Sequence, residues 1–255
     1  MTFVVTEAVV LHAFDYLESS RIMRLITRDS GIQSVLARGA RSSRKRFGTS
    51  LDVFAQGTAE YSTRPGRDLN TLTAFDVTRG RPELAADISR FTGACVLAEL
   101  ALRFSSDEPH PGLFDAFIAG LDAIGAADAD ATVSRTLGAA WHIVGELGFA
   151  PALDVCANCH TALAGDVRTP FSHVAGGALC TRCARLVPGA RPIPPEARAA
   201  LGKWLAGSPV EIVSPAEGRA HQRLLREFLD QHLSEGKKLV AYSMWEHEQL
   251  LVTNH

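Results

Sequence analysis

The sequence predicts an α+β chain in which a small five-stranded barrel precedes a helical body that carries an inserted four-cysteine segment. Three observations predict it. Five short runs rich in Val, Ile and Leu fall within the first 80 of 255 residues, with no long helix between them. Apolar residues recur at helical spacing from Arg81-Pro82 onward. Two CxxC pairs, Cys156-Ala157-Asn158-Cys159 and Cys180-Thr181-Arg182-Cys183, stand twenty residues apart.

The strand-like runs are 3–12, 21–27, 32–38, 52–61 and 69–77. Arg28-Asp29-Ser30-Gly31 parts the second from the third as a hairpin turn, with Gly supplying the positive φ. Thr63-Arg64-Pro65-Gly66-Arg67 breaks the pattern between the fourth and fifth. Five strands in so short a stretch suggest closure into a barrel, and the OB-fold is the common five-stranded solution. An SH3-like barrel reads similarly.

Beyond Arg81-Pro82, Leu84, Ile88, Phe91, Cys95 and Leu102 recur at spacings of one helix face, which makes Cys95 a core residue. Leu113, Phe117, Leu121 and Ile124 form a second stripe, introduced by Pro109-His110-Pro111-Gly112. Val133, Leu137, Trp141, Val144 and Gly148 form a third, ended by Pro151. Residues 188–195, rich in Pro and Gly, read as a linker before helices near 196–205 and 215–233, the latter with Leu224, Leu225, Phe228 and Leu229 inward. The expected division is a nucleic-acid-binding OB-fold over 1–80, a helical domain over 81–150 and 190–255, and a zinc segment over 151–189 inserted in it.

The spacing of Cys156, Cys159, Cys180 and Cys183 is that of a four-thiolate zinc site: each CxxC turn presents two sulfurs to one ion, and the intervening loop lets a second turn complete the tetrahedron. Two disulfides or a redox pair are the competing reading. No secretory segment precedes the cysteines, however, and Cys95 would be left over. Four thiolates leave no open position, so one structural zinc ion is expected and no catalytic metal.

The formal net charge of -2 excludes a uniformly basic nucleic-acid binder, yet residues 1–80 carry a net of +3 and the remainder -5. Met1 to Thr6 lacks the basic and apolar parts of a secretory signal, and no run approaches the roughly 18 apolar residues of a membrane span, so a cytoplasmic, bacterial-type location is expected. The basic excess concentrates in Arg38, Arg41, Arg44, Lys45 and Arg46, five cations in nine residues with Phe47 at their edge. On an OB barrel such an arm can follow a phosphate backbone; a solvated loop is the plain alternative. Arg21 and Arg24 are further DNA-binding candidates, expected to point away from the core beside Tyr61 or Phe47.

The chain resembles the RecO family of bacterial recombination mediators. The resemblance rests on Glu7-Ala8-Val9-Val10-Leu11, Ser20-Arg21-Ile22-Met23-Arg24-Leu25-Ile26-Thr27, Gly31, the Ala37-Arg38-Gly39-Ala40-Arg41 turn, Asp68-Leu69, and Leu147-Gly148-Phe149-Ala150-Pro151 leading into the first CxxC. Asp15-Tyr16-Leu17-Glu18, where the family often has a shorter Tyr-Gly-Glu, departs from the pattern, and Gly236-Lys237-Lys238 follows the family's basic tail only loosely. The resemblance implies a non-enzymatic protein, associated with the nucleoid, that binds single- and double-stranded DNA, anneals complementary strands, engages the C-terminal tail of the single-strand-binding protein SSB, and with RecR helps RecA load onto coated strands. Arg103, Arg135, Arg223 and Arg226 are candidates for the cationic rim of a tail-binding pocket. No GxxxxGK[ST], GxSxG or HExxH motif points to catalysis. The competing classes are a zinc-dependent nuclease using His160, His173 or Asp107-Glu108, and a zinc-ribbon transcription or translation accessory protein.

Overall fold

The computed structural model describes residues 2–40, 51–233 and 236–252. Strands β1 (Thr2–Tyr16), β2 (Ser20–Thr27), β3 (Gly31–Ala37), β4 (Gln56–Thr63) and β5 (Leu69–Arg79) close a barrel in the order β1-β2-β3-β5-β4, with β4 returning to β1. Every pairing is antiparallel except β3 with β5. This is the expected five-stranded OB-type barrel. Alternation fills it: Ala8, Val10, Met23, Leu25, Val35, Tyr61, Leu72 and Phe75 point inward and are buried.

β1 runs to Tyr16, past the expected end at His12, because a bulge resets its register. Val10 pairs with Leu25 but His12 with Arg24, so Leu11 is the extra residue. The outer face of the barrel therefore carries two different populations. Val9, Leu11, Ile26 and Ile32 are buried against the helices as part of their core, while farther along the same strand Phe14 and Tyr16 are exposed. At the β2–β3 turn Gly31 takes φ +59°, and a Cβ there would lie 2.3 Å from the Glu108 carbonyl oxygen. Only glycine lets the barrel come this close, and the Ile32 N–H donates to the Ser106 carbonyl at 2.8 Å.

Helix α1 (Pro82–Ala85) is separated from α2 (Ile88–Phe104) by Asp87, whose carboxylate caps α2 by accepting from the Arg90 N–H at 2.9 Å. The first apolar stripe is thereby corrected. Ile88 is 62% exposed and Phe91 37%, and the buried side of α2 is instead Gly93, Ala94, Leu97 and Ala101. Gly93 sets this face because it admits close approach: a Cβ there would clash with Thr136 Oγ1. Cys95 is partly buried against the core, which pushes its thiol up to about 11. In α3 (Pro111–Gly125) the expected stripe is buried, and His110 Nδ1 caps the helix by accepting from the Leu113 N–H at 3.0 Å. The helix α4 (Thr132–Glu146) buries Leu137, Trp141 and Val144.

Between α4 and the following helices lies a small sheet, ordered β7-β6-β8, of β6 (Thr169–Ser172), β7 (Gly177–Ala178) and β8 (Arg191–Ile193), with one helical turn, α5 (Thr181–Ala184). β8 lies within the stretch expected to be a linker; as an edge strand it tolerates Pro192 at its centre, where an N–H is not needed by a further neighbour. Next come α6 (Pro195–Leu205) and α7 (Pro215–His232), with Leu225, Phe228 and Leu229 buried and Leu224 partly so. A last helix, α8 (Val240–Val252), has no counterpart among the periodic stripes of the sequence. Glu99 of α2 receives its first N–H groups, Val240 at 2.7 Å and Tyr242 at 3.1 Å, and the Tyr242 hydroxyl donates to the Gln222 carbonyl at 2.6 Å.

Barrel and helices meet across a belt of charge. Arg81, its side chain fully buried, donates to the Phe54 carbonyl at 3.0 Å, Gln56 Oε1 at 2.8 Å and Asp122 of α3 at 3.0 Å. Gln56 donates to Glu7 at 2.7 Å, and Glu7 accepts from Arg28 at 3.0 Å. Arg28 in turn reaches Asp115 of α3 at 2.7 Å and lies 4.7 Å over the Phe114 ring. Burial pulls the Arg81 pKa down, with Asp122 opposing it; the hydrogen bonds of Asp115 and Glu7 raise that of Arg28.

Two outcomes are expected. Arg81→Ala leaves buried acceptors on both sides without a donor and should cost about 3–5 kcal/mol in chemical denaturation, whereas Asp122→Asn, which spares the barrel contacts of Arg81, should cost less. A loss under about 1 kcal/mol for Arg81→Ala would contradict this assignment. His221 of α7 is buried edge-to-face against Trp204, their ring centroids 4.8 Å apart, and burial holds its pKa below the usual value despite Glu217. The unfolded chain then binds more protons just below pH of about 6.5, so stability falls as pH drops through that interval. Urea unfolding at pH of about 5.5 and about 7.5 should show the loss, and His221→Leu should weaken it.

Candidate metal centre and nucleic-acid face

The structure brings Cys156, Cys159, Cys180 and Cys183 together, with all four sulfurs within 4.8 Å of one another. The turn after Cys159 puts His160 at φ +59° and returns its N–H to the Cys156 carbonyl at 2.8 Å. The second pair opens α5, where Cys180 Sγ accepts from the Cys183 N–H at 3.5 Å. Cys159 and Cys180 sulfurs lie 3.7 Å apart, far outside a disulfide bond and close to the ~3.8 Å edge of a tetrahedron with metal–sulfur arms of ~2.3 Å. The four residues can hold a metal ion. The Thr161 hydroxyl and N–H hold the Cys159 thiol down to about 5, whereas Cys183, in spite of the Asn158 hydrogen bond, is pushed up to about 11 by burial among sulfurs. A shared cation relieves that crowding.

Polar anchors from the helices hold this segment from two sides. Arg198 of α6 is buried, donates to Thr169 Oγ1 at 2.8 Å and also bonds the Ala164 carbonyl. From α7, Glu227 pairs with His173 Nε2 at 3.1 Å and His232 Nε2 lies 2.6 Å from the His173 carbonyl. His173 is thus engaged with α7, and neither it nor His160 belongs to the sulfur cluster.

On the barrel, Arg38 is exposed in the turn that ends β3, where Gly39 takes φ +69°. Arg41, Arg44, Lys45 and Arg46, with Phe47, lie outside the described residues. Arg21 and Arg24 do not share a face. They stand three positions apart, so the pleat turns them oppositely: Arg21 pairs in register with buried Ala37 and forms an ion pair with Asp15 at 3.0 Å, whereas Arg24 lies on the outer face opposite Ser34. Tyr61 is fully buried inside the barrel, so its ring is not a surface stacking partner for Arg21 or Arg24. The structure adds surface residues that the sequence pattern did not single out: exposed Phe14 and Tyr16 on β1, and Arg64 and Arg67 in the β4–β5 turn. An aromatic alternation continuing past His12 was the available signal.

Comparison with known proteins agrees with this architecture. The family model described as recombination protein O N terminal matches residues 1–81, and recombination protein O C terminal matches residues 85–239. The chain belongs to the RecO family. It is 39% identical over 240 residues to the DNA repair protein RecO of Anaeromyxobacter sp. strain K, covering 91% of this chain and 92% of that one. A RecO from a Nocardioides species is 33% identical over 248 residues, or 92% and 97% of the two chains. The two RecO models meet at residues 81–85, beside the buried Arg81.

Three of the four arginines considered for a tail-binding rim already have acidic partners: Arg103 with Glu99 at 3.6 Å, Arg135 with Glu211 at 2.7 Å, and Arg226 with Glu246 at 2.6 Å. Arg223 is exposed on α7. Among the described residues no helix is long and apolar enough to cross a membrane.

Freshly purified protein should contain one metal ion per chain. Thiolate metal sites contribute on the order of 10 kcal/mol in small domains, so Cys156→Ser, which alters a fully buried ligand, should release the ion and speed hydrogen exchange in β6 and β7. Barrel amides should keep wild-type protection; unchanged exchange in β6 and β7 after metal loss would refute a folding role.

Proposed function

We propose that this RecO-family protein acts in recombinational DNA repair as a non-enzymatic mediator. It binds single- and double-stranded DNA, anneals complementary strands, and with RecR helps RecA load onto strands coated by SSB, whose C-terminal tail it engages. The observation that carries this reading is that both RecO models together span the barrel and most of the helical body, at high coverage of named DNA repair relatives. The OB-type barrel, with basic residues leaving β3 at Arg38 and entering β5 through Arg64 and Arg67, supports it.

In this reading residues 1–80 form the DNA-binding unit, 81–150 and 190–255 the helical unit, and 151–189 an inserted zinc segment. The ion is zinc, held by Cys156, Cys159, Cys180 and Cys183. Such an ion, saturated by thiolates, supplies cross-linking and no reactive water. The protein works in the bacterial cytoplasm at the nucleoid. Arg38, Arg41, Arg44, Lys45 and Arg46 grip phosphates, with Arg24 on the barrel's outer face; Arg21, held by Asp15, contributes less.

Annealing needs only counter-charge to relieve phosphate repulsion and bases left free to pair. Purified protein should therefore shift labelled single strands and anneal complementary ones without nucleotide. Magnesium-dependent cleavage would point to a nuclease, and no DNA binding to an accessory protein. The double change Arg44→Ala with Arg46→Ala should flatten the log-log salt slope for single strands by about 1.4, at about 0.7 per phosphate contact, alike for unrelated sequences. A wild-type slope and annealing rate in a folded, metal-replete variant would reduce the arm to a solvated loop.

A further inference from the structure

The bulge at Leu11 has a chemical result on the barrel surface. It places His12 opposite Arg24, and Arg24 lies opposite Ser34, which neighbours Leu69 across the parallel pair; two residues along, Phe14 lies opposite Ile22. These six residues share one shallow groove of about 530 Å³. Phe14 is 44% exposed and Leu69 38%, and Tyr16, the next outward residue of β1, is 43% exposed. The His12 and Phe14 rings lie 5.7 Å apart, tilted by 48°. Arg24 Nε is shielded from solvent and has no hydrogen-bond partner among the described residues.

Exposed aromatic surface in a row is costly unless something flat and apolar covers it. A peptide or a second barrel would satisfy that, but the surroundings are cationic: Arg38 is exposed at the end of β3, and Arg64 and Arg67 are exposed in the turn leading into Leu69. Asp68 is the acidic member of the groove lining. Apolar faces bordered by arginines match an unpaired nucleobase joined to its phosphates.

We propose that Phe14, with His12 beside it and Ile22 and Leu69 as floor, is a stacking platform for the bases of single-stranded nucleic acid, a contact that a duplex cannot make. The inference rests on the DNA-binding reading above and deepens it. Bases in a duplex are stacked on one another and present no free face to Phe14, so the platform acts on unpaired strands only. The cationic arm, in contrast, holds phosphates of either form.

The test compares Phe14→Leu and Phe14→Trp with wild type on an oligothymidine single strand and on a duplex of equal length, after melting temperature and metal content are matched. Phe14→Leu keeps the apolar bulk and removes the ring; it should weaken single-strand binding roughly tenfold, change duplex binding by less than about twofold, and leave the salt slope unaltered. Phe14→Trp should bind like wild type. Because Trp141, Trp204 and Trp245 are all buried, the new indole reports on position 14, and its fluorescence should be quenched by the single strand but not by the duplex. Wild-type affinity in Phe14→Leu, or equal losses on both DNA forms, overturns the platform. If wild type binds and the Arg44/Arg46 variant loses binding while Phe14→Leu does not, the DNA-binding reading survives alone; if wild type binds neither form, both fail.

Discussion

The structure depends on a closed circuit of charge between the barrel and one helix. It runs from Asp122 through Arg81, Gln56, Glu7 and Arg28 to Asp115, and both ends lie on α3, two turns apart. Each inner member satisfies two neighbours, so no buried polar group in the circuit is left to bear its desolvation alone. Arginine suits the central place because its planar fork serves a carbonyl, an amide and a carboxylate at once, where a lysine would offer a single point of charge. Apolar packing of Val9, Leu11, Ile26 and Ile32 against the helices drives the two parts together, and the circuit fixes the angle at which they meet.

How much of this is legible in the sequence depends on the range of the interaction. The barrel strands are legible because alternation is local, and the cysteines because a metal demands a fixed spacing. The second and third helix stripes are legible for the same reason. The stripe on α2 misleads since Ile88 and Phe91 are large and correctly spaced, yet Asp87 restarts the helix and the close packing of Gly93 on Thr136 turns a different face inward. The bulge at Leu11 is invisible, because a single extra residue alters which face follows without altering composition. α8 is held by Glu99, more than a hundred residues away, and the charge circuit joins positions as distant as 28 and 115; neither leaves a periodic trace.

The cysteine cluster is only one of the ties on its segment. Arg198 fastens the β6 end from α6, while Glu227 and His232 fasten His173 from α7. An ion held by the four cysteines would close the distal turns, Cys156 to Cys159 and Cys180 to Cys183, where the fully apolar core is small: Leu179 among the sulfurs, with Leu163 and Val187 packed partly against them. The cysteines and the Arg198 guanidinium lie at opposite ends of the segment, so a bound ion would hold its tip while the guanidinium holds its base.

β1 is fifteen residues of unbroken extended chain. Its middle, at Val9 and Leu11, is clamped to the helical core, and its end, at Phe14 and Tyr16, projects past that clamp. Mechanically it is a cantilever. Tension on the free end travels through covalent backbone and the hydrogen-bonded ladder with β2 to the clamped section, so a pull on the outer barrel loads the helices directly instead of being absorbed in a hinge.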